Sequence, residues 1–307
     1  MDEPRLRVTL GGLTLPNPVL TASGTCGYGL ELDRFTDISL LGGLVLKGLS
    51  REPRDGNPPP RLAETASGLL NSIGLGNVGV ARFVREVLPE VYRRNNRVIT
   101  NVYATTIDDF VEVSRRLEET GMVAAVELNL SCPNVKAGGI LFGQDPSLTA
   151  AVVTAVRRGV ALPLLVKLTP RVADIAVPAR ACQEAGADIL TVANTFPGLA
   201  VDIRRRRPVL GGNFGGLSGP AIKPLALKLV HEAARAVTIP VVGSGGIATW
   251  QDAAEFIIAG AAAVQVGTAM MVDPGAGLDI IRGLSAFLDR EGLPGIGDLR
   301  GTLVLHG

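Results

Sequence analysis

The stretch Ile239-Pro-Val-Val-Gly-Ser-Gly-Gly246, followed by Thr249 to Ala259 and then by Ala262-Ala-Val-Gln-Val-Gly-Thr-Ala269, spells out one strand, helix, strand unit. The two outer runs are almost continuously apolar, as suits strands buried on both faces. Between them apolar residues recur at spacings of three and four, the period of a helix packed on a sheet. Thr249 is a helix-start signal and Gly260 a stop. The same alternation extends outward in both directions. Further β-rich runs lie at Val19 to Gly24, Gly43 to Gly48, Arg97 to Tyr103, Ala124 to Ser131, Leu162 to Thr169 and Asp188 to Thr195. Helical patterns occupy Ile107 to Thr120, Ser147 to Arg158, Ile175 to Ala185 and Pro224 to Ala236, with Asp145-Pro146 as a start and Gly121 and Gly186 as stops. Eight strand units separated by helices predict an α/β fold, an all-parallel sheet closed into a (β/α)8 TIM barrel, with residues 1–307 as a single domain. A doubly wound open sheet is the structural rival.

Two interruptions break the rhythm. Leu49 to Leu75 carries Pro53, Gly56, Pro58, Pro59, Pro60 and Gly68, and Phe196 to Lys223 is rich in Gly and Arg. Both follow the C-terminal ends of strands, the face on which barrel active sites lie. They are expected to be elaborated top loops, without regular structure of their own, that carry function.

Composition excludes several classes. With 30 basic and 29 acidic residues the net charge is +1, so no field gathers polyanions, and Arg204 to Arg207 reads as a solvated loop sooner than a nucleic-acid patch. Three cysteines, Cys26, Cys132 and Cys182, form no disulfide framework and point to a reduced, cytoplasmic setting. The N-terminal residues have no apolar signal region, and no apolar stretch reaches membrane-spanning length, so neither nucleic acid nor a membrane is an expected partner.

Glu127-Leu-Asn-Leu-Ser-Cys-Pro-Asn134 closes one strand with a cluster of polar groups. Cys132 stands where the strand meets its loop, and Pro133 fixes the backbone just beyond it. The carboxamides of Asn129 and Asn134 flank the thiol and offer donors and acceptors to a planar ligand with alternating N–H and C=O edges. The two histidines, His231 in a helix and His306 in the tail, are poorly placed as bases, which leaves the thiol as proton acceptor; a buried structural cysteine is the alternative. Ser244-Gly245-Gly246 and Gly267-Thr268 close consecutive strands, the positions at which barrels bind phosphate through exposed backbone N–H groups. Gly215-Gly216-Leu217-Ser218-Gly219-Pro220 extends that cradle, although glycines also simply shape turns. Thr21-Ala22-Ser23-Gly24 leaves room for a flat ring. Lysine is rare here, yet Lys47 and Lys167 sit in strand patterns and, with Asn101 and Asn129, make a polar, cation-bearing floor. Flavin mononucleotide, FMN, fits this description, because a fixed ammonium stabilises the negative charge of the reduced ring. Snorkelling of each lysine to solvent is the alternative.

Four motifs in order, Gly56-Asn-Pro-Pro-Pro-Arg61, Asn71-Ser-Ile-Gly-Leu75, Asn129-Leu-Ser-Cys-Pro-Asn-Val-Lys136 and Gly215-Gly-Leu-Ser-Gly-Pro-Ala-Ile-Lys-Pro224, resemble the dihydroorotate dehydrogenases over nearly the whole chain. The cysteine at position 132 resembles class 1, and Asn194-Thr195-Phe-Pro-Gly with Gly-Leu-Ser-Gly-Pro resembles the class 1B catalytic subunit. That resemblance implies oxidation of dihydroorotate to orotate in pyrimidine synthesis, with Cys132 as base. It implies FMN contacts at Ser23, Lys47, Gly48, Asn101, Asn129, Lys167, Ala193, Gly219, Gly245, Gly246, Gly267 and Thr268. It implies substrate contacts at Lys47, Asn71, Ser72, Ile73, Gly74, Leu75, Asn129, Asn134, Asn194 and Thr195. It further implies a homodimer core within a heterotetramer, whose electron-transfer subunit carries FAD and a 2Fe-2S cluster and passes electrons to NAD. The scattered cysteines of this chain could not hold such a cluster. Gly76 and Val78 depart from the family pattern, which often has Gln and Pro there. The rival functions are a fumarate-dependent class 1A enzyme, a dihydropyrimidine dehydrogenase-like flavoenzyme and a non-catalytic phosphate-binding barrel scaffold.

Overall fold

The computed structural model describes residues 3–130 and 142–306. Eight parallel strands form one sheet: β1 (Val19–Thr21), β2 (Leu44–Val45), β3 (Val98–Val102), β4 (Ala125–Asn129), β5 (Leu164–Lys167), β6 (Ile189–Val192), β7 (Val241–Ser244) and β8 (Ala263–Val266). Each lies within a run read from the sequence. Spatial order follows chain order from β2 to β8, after which β8 pairs with β1. A parallel bridge from Leu20 to Gly43 brings β1 back to β2, and Val45 N donates to Thr21 Oγ1 at 2.8 Å while that hydroxyl donates to Val45 O at 3.1 Å. The open-sheet rival therefore fails, because the edges it requires meet each other.

Helices cover the outside. After β2 come α1 (Val80–Arg82), a π-type stretch (Phe83–Val87) and α2 (Leu88–Arg94). Then follow α3 (Ile107–Glu118), α4 (Pro146–Gly159), α5 (Ala176–Glu184), α6 (Lys223–Ala236), α7 (Trp250–Ile258), the short α8 (Thr268–Val272) and α9 (Ala276–Glu291). The start signals act through side chains. Asp145 accepts from Ser147 N and Leu148 N, and Thr249 and Asp252 form a reciprocal capping box. Gly260 ends α7 with φ of +122°, and a Cβ there would meet Ala234 Cβ at 2.7 Å.

Two apolar cores result. The larger lies between strands and helices. The smaller fills the lower barrel, where Leu20, Val45, Ile99, Leu165, Ile189 and Val242 are fully buried against Leu10, Leu13 and Leu15. Those three leucines come from an antiparallel hairpin, Val8–Leu10 with Leu13–Leu15, which closes the N-terminal end of the barrel. Each such side chain contributes about 1.5–3 kcal/mol relative to exposure.

The long interruptions are not structureless, contrary to expectation. Phe196–Gly198, Gly215–Ser218, Gly68–Asn71 and Leu62–Thr65 form a four-stranded antiparallel sheet, in that order. The loops after β2 and β6 thus satisfy each other's backbone groups instead of leaving them unpaired beside a cavity. Gly216 is obligatory in this roof, since a Cβ would lie 2.0 Å from Thr195 Oγ1. Beyond it Val201–Asp202 pairs with Arg207–Pro208, and Arg204, Arg205, Arg206 and Arg207 are exposed there, Asp202 accepting from two of their backbone N–H groups. Among the described residues no helix is long and apolar enough to cross a membrane.

Candidate active site

A cavity of about 1170 Å³ opens between the C-terminal ends of the strands and the roof. It is larger than most small-molecule sites, which run to roughly 300–1,000 Å³. Every described residue expected to contact FMN or substrate lines it. One group comprises Ser23, Lys47, Gly48, Asn101, Asn129, Lys167, Ala193, Gly219, Gly245, Gly246, Gly267 and Thr268. The other comprises Asn71, Ser72, Ile73, Gly74, Leu75, Asn194 and Thr195. Cys132 and Asn134 lie outside the described residues. Cys26 and Cys182 are buried elsewhere, and burial pushes their thiols up to about 11 and about 12. Neither they nor the histidines line the cavity.

The floor is polar and largely buried. Lys167 ends β5 with only 4% of its surface exposed, and its ammonium donates to Gln265 Oε1 at 3.2 Å. Burial lowers its pKa from the ordinary value, and the nearby Glu127 opposes that shift. Lys47 is half-buried just beyond β2, and burial, with Arg61 adding repulsion, lowers its pKa too. Asn101 is fully buried at the side of the cavity, and its Oδ1 has no hydrogen-bond partner among the described residues. A Cβ on Gly48 would lie 2.7 Å from that oxygen, so only glycine fits beside it.

Glycines shape one end. Gly245 and Gly246 adopt φ of +132° and +79°, and a Cβ on Gly246 would sit 2.6 Å from Lys223 N. Gly219 has φ of +90° and packs beside Gly68 and Thr268, while Thr268 Oγ1 donates to Ser218 Oγ at 2.8 Å. The turns after β7 and β8 and the end of the roof strand thus converge, and at Gly219, Gly245 and Gly246 positive φ and close neighbours leave no room for a side chain. Lys223 is turned away, paired with Asp252 at 2.7 Å and Glu255 at 3.0 Å. A glycine-lined end, an orphaned acceptor and a buried cation together fit a flat, phosphate-bearing aromatic group.

The segment Asn71–Leu75 forms another part of the wall. Gly74 and Leu75 take φ of +70° and +61°, and Asn77 holds the bend by donating to Leu75 O at 2.9 Å and Ser50 Oγ at 2.8 Å. Asn57 donates to Ser72 Oγ at 3.0 Å, and Asn71 donates to Gly216 O at 3.1 Å. Val78 N donates to Tyr28 Oη at 3.2 Å, a bond that a proline at this position would lack the N–H to make.

Sequence reasoning missed three residues. Glu127, Thr191 and Gln265 are buried in the barrel and hydrogen-bond one another, Gln265 in the lining of the cavity and the other two beneath it. Their signal was present: a polar residue amid an apolar strand, as in Val126-Glu127-Leu128 and Val264-Gln265-Val266, is unusual enough to mark an interior site.

The family described as Dihydroorotate dehydrogenase matches residues 5–288. A Solibacter usitatus protein named as a dihydroorotate dehydrogenase A (fumarate) is 54% identical over 300 residues, covering 98% of this chain and 99% of that one. The dihydroorotate dehydrogenase B (NAD(+)) catalytic subunit of Pelobacter propionicus is 50% identical over 301 residues, covering 98% and 99% of the two chains. That of Geotalea uraniireducens is 48% identical over 304 residues, covering 99% and 100%. The crystal structure of DHODH from Eimeria tenella in complex with ferulenol matches with a TM-score of 0.82 at 24% identity, over 98% of this chain and 89% of that one, a likeness of fold. The four motifs read in order, the closed barrel they decorate and these full-length matches agree: the chain belongs to the dihydroorotate dehydrogenase family.

Proposed function

We propose that this chain oxidises dihydroorotate to orotate in pyrimidine synthesis, with FMN in the cavity, and hands its electrons to a partner subunit that reduces NAD. Family membership makes it an oxidoreductase. The observation that carries the reading is the convergence of the described candidate residues on one cavity, with glycine turns at one end and a buried ammonium in its floor. Ser23, Gly219, Gly245, Gly246, Gly267 and Thr268 would hold the phosphate and its linker, and Lys47, Gly48, Asn101, Asn129, Lys167 and Ala193 the ring system. When bound, FMN supplies the acceptor for the hydride that leaves C6 of the substrate.

The chain's own groups do the rest. Cys132 takes the C5 proton, so that loss of a proton and a hydride leaves the C5–C6 double bond of orotate. A free thiol has a pKa near 8.5, so the thiolate fraction able to act as base rises with pH through the neutral range. Asn71 to Leu75, Asn129, Asn134, Asn194, Thr195 and Lys47 grip the substrate. Asn194 Nδ2 lies 3.5 Å from Asn129 Oδ1, which places two of these carboxamides side by side. The Lys167 ammonium, held in the buried floor, favours negative charge on whatever ring lies above it.

The class 1B assignment rests on Asn194-Thr195-Phe-Pro-Gly and on relatives named as NAD(+) catalytic subunits. It brings with it a cytoplasmic heterotetramer built on a homodimer, with FAD and a 2Fe-2S cluster on the second subunit. The Solibacter relative named for fumarate supports the class 1A reading instead. Purified protein is expected to bind about one FMN per chain and be reduced by dihydroorotate. Stopped-flow flavin absorbance with fumarate, NAD, and NAD plus the partner subunit then decides between classes. Rapid turnover with fumarate alone would replace class 1B by 1A, and a protein that takes up no FMN would overturn the reading.

A further inference from the structure

Glu127 is a fully buried carboxylate just below the cavity, and the chemistry above gives it no part. Both of its oxygens are in use. Oε1 accepts from Asn101 Nδ2 at 2.7 Å, and Oε2 accepts from Gln265 Nε2 at 2.6 Å and Thr191 Oγ1 at 2.8 Å. Among the described residues no cation forms an ion pair with it; the buried Lys167 is near enough to feel its charge and is joined to it by hydrogen bonds through Gln265.

The consequence lies in the amides. A carboxamide has a donor end and an acceptor end of nearly the same size, and its neighbours decide which faces where. A carboxylate only accepts, so it can face only the NH2 ends of Asn101 and Gln265. The opposite ends are then fixed. Asn101 Oδ1 is left as an unpartnered acceptor beside Gly48, and Gln265 Oε1 is left to receive the Lys167 ammonium. One residue that touches no ligand thus fixes which groups the floor offers: an acceptor at position 101 and an anchored cation at position 167.

We propose that Glu127 is a positioning residue, which sets the donor and acceptor polarity of the cavity floor and so selects a planar heteroaromatic ring bearing an N–H edge. This rests on the FMN reading. Oxidised flavin carries a single ring N–H, at N3, and methylation there removes it. The floor should therefore discriminate between FMN and N3-methyl-FMN through the acceptor that Glu127 holds in place.

Glu127→Gln replaces one acceptor by an NH2. The side chain can then satisfy only one of the two amides, so the other turns over, or its NH2 faces another NH2. Asn101→Asp sets two carboxylates against each other. The exchange Asn101→Asp with Glu127→Gln restores every partner: Gln at 127 donates to Asp at 101 and accepts from Gln265 and Thr191, and an acceptor faces the cavity again. The experiment measures dissociation constants of FMN and N3-methyl-FMN for the wild type, both single variants and the exchange, with thermal unfolding of the flavin-free proteins as a control. Wild type should prefer FMN by about tenfold. Glu127→Gln should weaken FMN binding by roughly ten- to a hundredfold and abolish the preference, and the exchange should recover both to within about threefold. A role in folding alone shifts unfolding temperatures and leaves the preference intact. An unchanged preference in Glu127→Gln, or a folded exchange variant that does not regain it, overturns the proposal. Where Glu127→Gln does not fold, the exchange variant alone decides. A wild type that binds neither flavin refutes the FMN reading instead.

Discussion

One step of two residues along the same strands separates Ile99 from Asn101, Ala125 from Glu127, Leu165 from Lys167, Ile189 from Thr191, Val242 from Ser244 and Ala263 from Gln265. Because side chains two apart share a face, each pair points to the same side of its strand at different heights. The lower members are fully buried and closed beneath by the N-terminal hairpin. The upper members line the cavity or hydrogen-bond to those that do. Both layers are buried, but they are held differently. Apolar burial is non-directional, so the lower layer asks only for volume. The upper layer depends on every donor meeting an acceptor, so one altered atom leaves a buried group unpaired.

The largest effect is expected where chemistry depends on a single group. Cys132→Ala should cut dihydroorotate turnover by about 10² to 10⁴-fold while FMN remains bound, measured by steady-state kinetics and flavin absorbance. Near-normal turnover would assign the base elsewhere. Leu165→Ala, in the lower layer, should cost about 2–5 kcal/mol in denaturant unfolding yet leave the FMN dissociation constant within about threefold. Lys167→Met, two residues on, should do the reverse. Turnover should fall roughly ten- to a hundredfold and the flavin midpoint potential should drop, because one charge-assisted contact at the floor is gone. If both variants impaired flavin binding alike, the contrast between layers would collapse.

The pH profile gives a smaller effect. kcat/KM should climb toward about pH 8.5 as the catalytic thiol ionises. It should then decline as Lys47 and Lys167 lose their protons, on a limb lying below 10.5 because burial lowers both from that value. Cys26→Ala and Cys182→Ala should leave the profile unmoved, since those thiols titrate only near 11 and 12. Smallest of all, Val78→Pro removes the N–H bonded to Tyr28 Oη and should raise KM by about twofold to tenfold with kcat unchanged.

The barrel was legible because parallel strands covered on both faces leave continuous apolar runs, and Thr249, Asp145 and Gly260 punctuate them. The glycine turn at 245 and 246 was legible for a related reason, since positive φ and close approach of neighbouring atoms favour glycine there. The roof was not. Its strands, such as Phe196-Pro-Gly198 and Gly215-Gly-Leu-Ser218, are short, show no alternation and find partners only through tertiary proximity. Glu127 and Gln265 escaped because their meaning is mutual; neither has a role until the barrel sets β4 and β8 across from one another. The hairpin at Val8 to Leu15 carried a signal that went unread, a Gly11-Gly12 turn between two β-rich triplets.

The roof joins segments far apart in the chain: Asn71 bonds Gly216 across 145 positions, and Ser218 bonds Leu69 across 149. Such contacts form only after the entropy of closing the whole intervening loop has been overcome, which requires β2 through β6 to be in place. Catalytic competence is therefore expected to appear after the barrel during refolding and to vanish before it during heating. A nascent chain still short of residue 215 would have the strands from β1 to β6 but no closed barrel and no roof over the site.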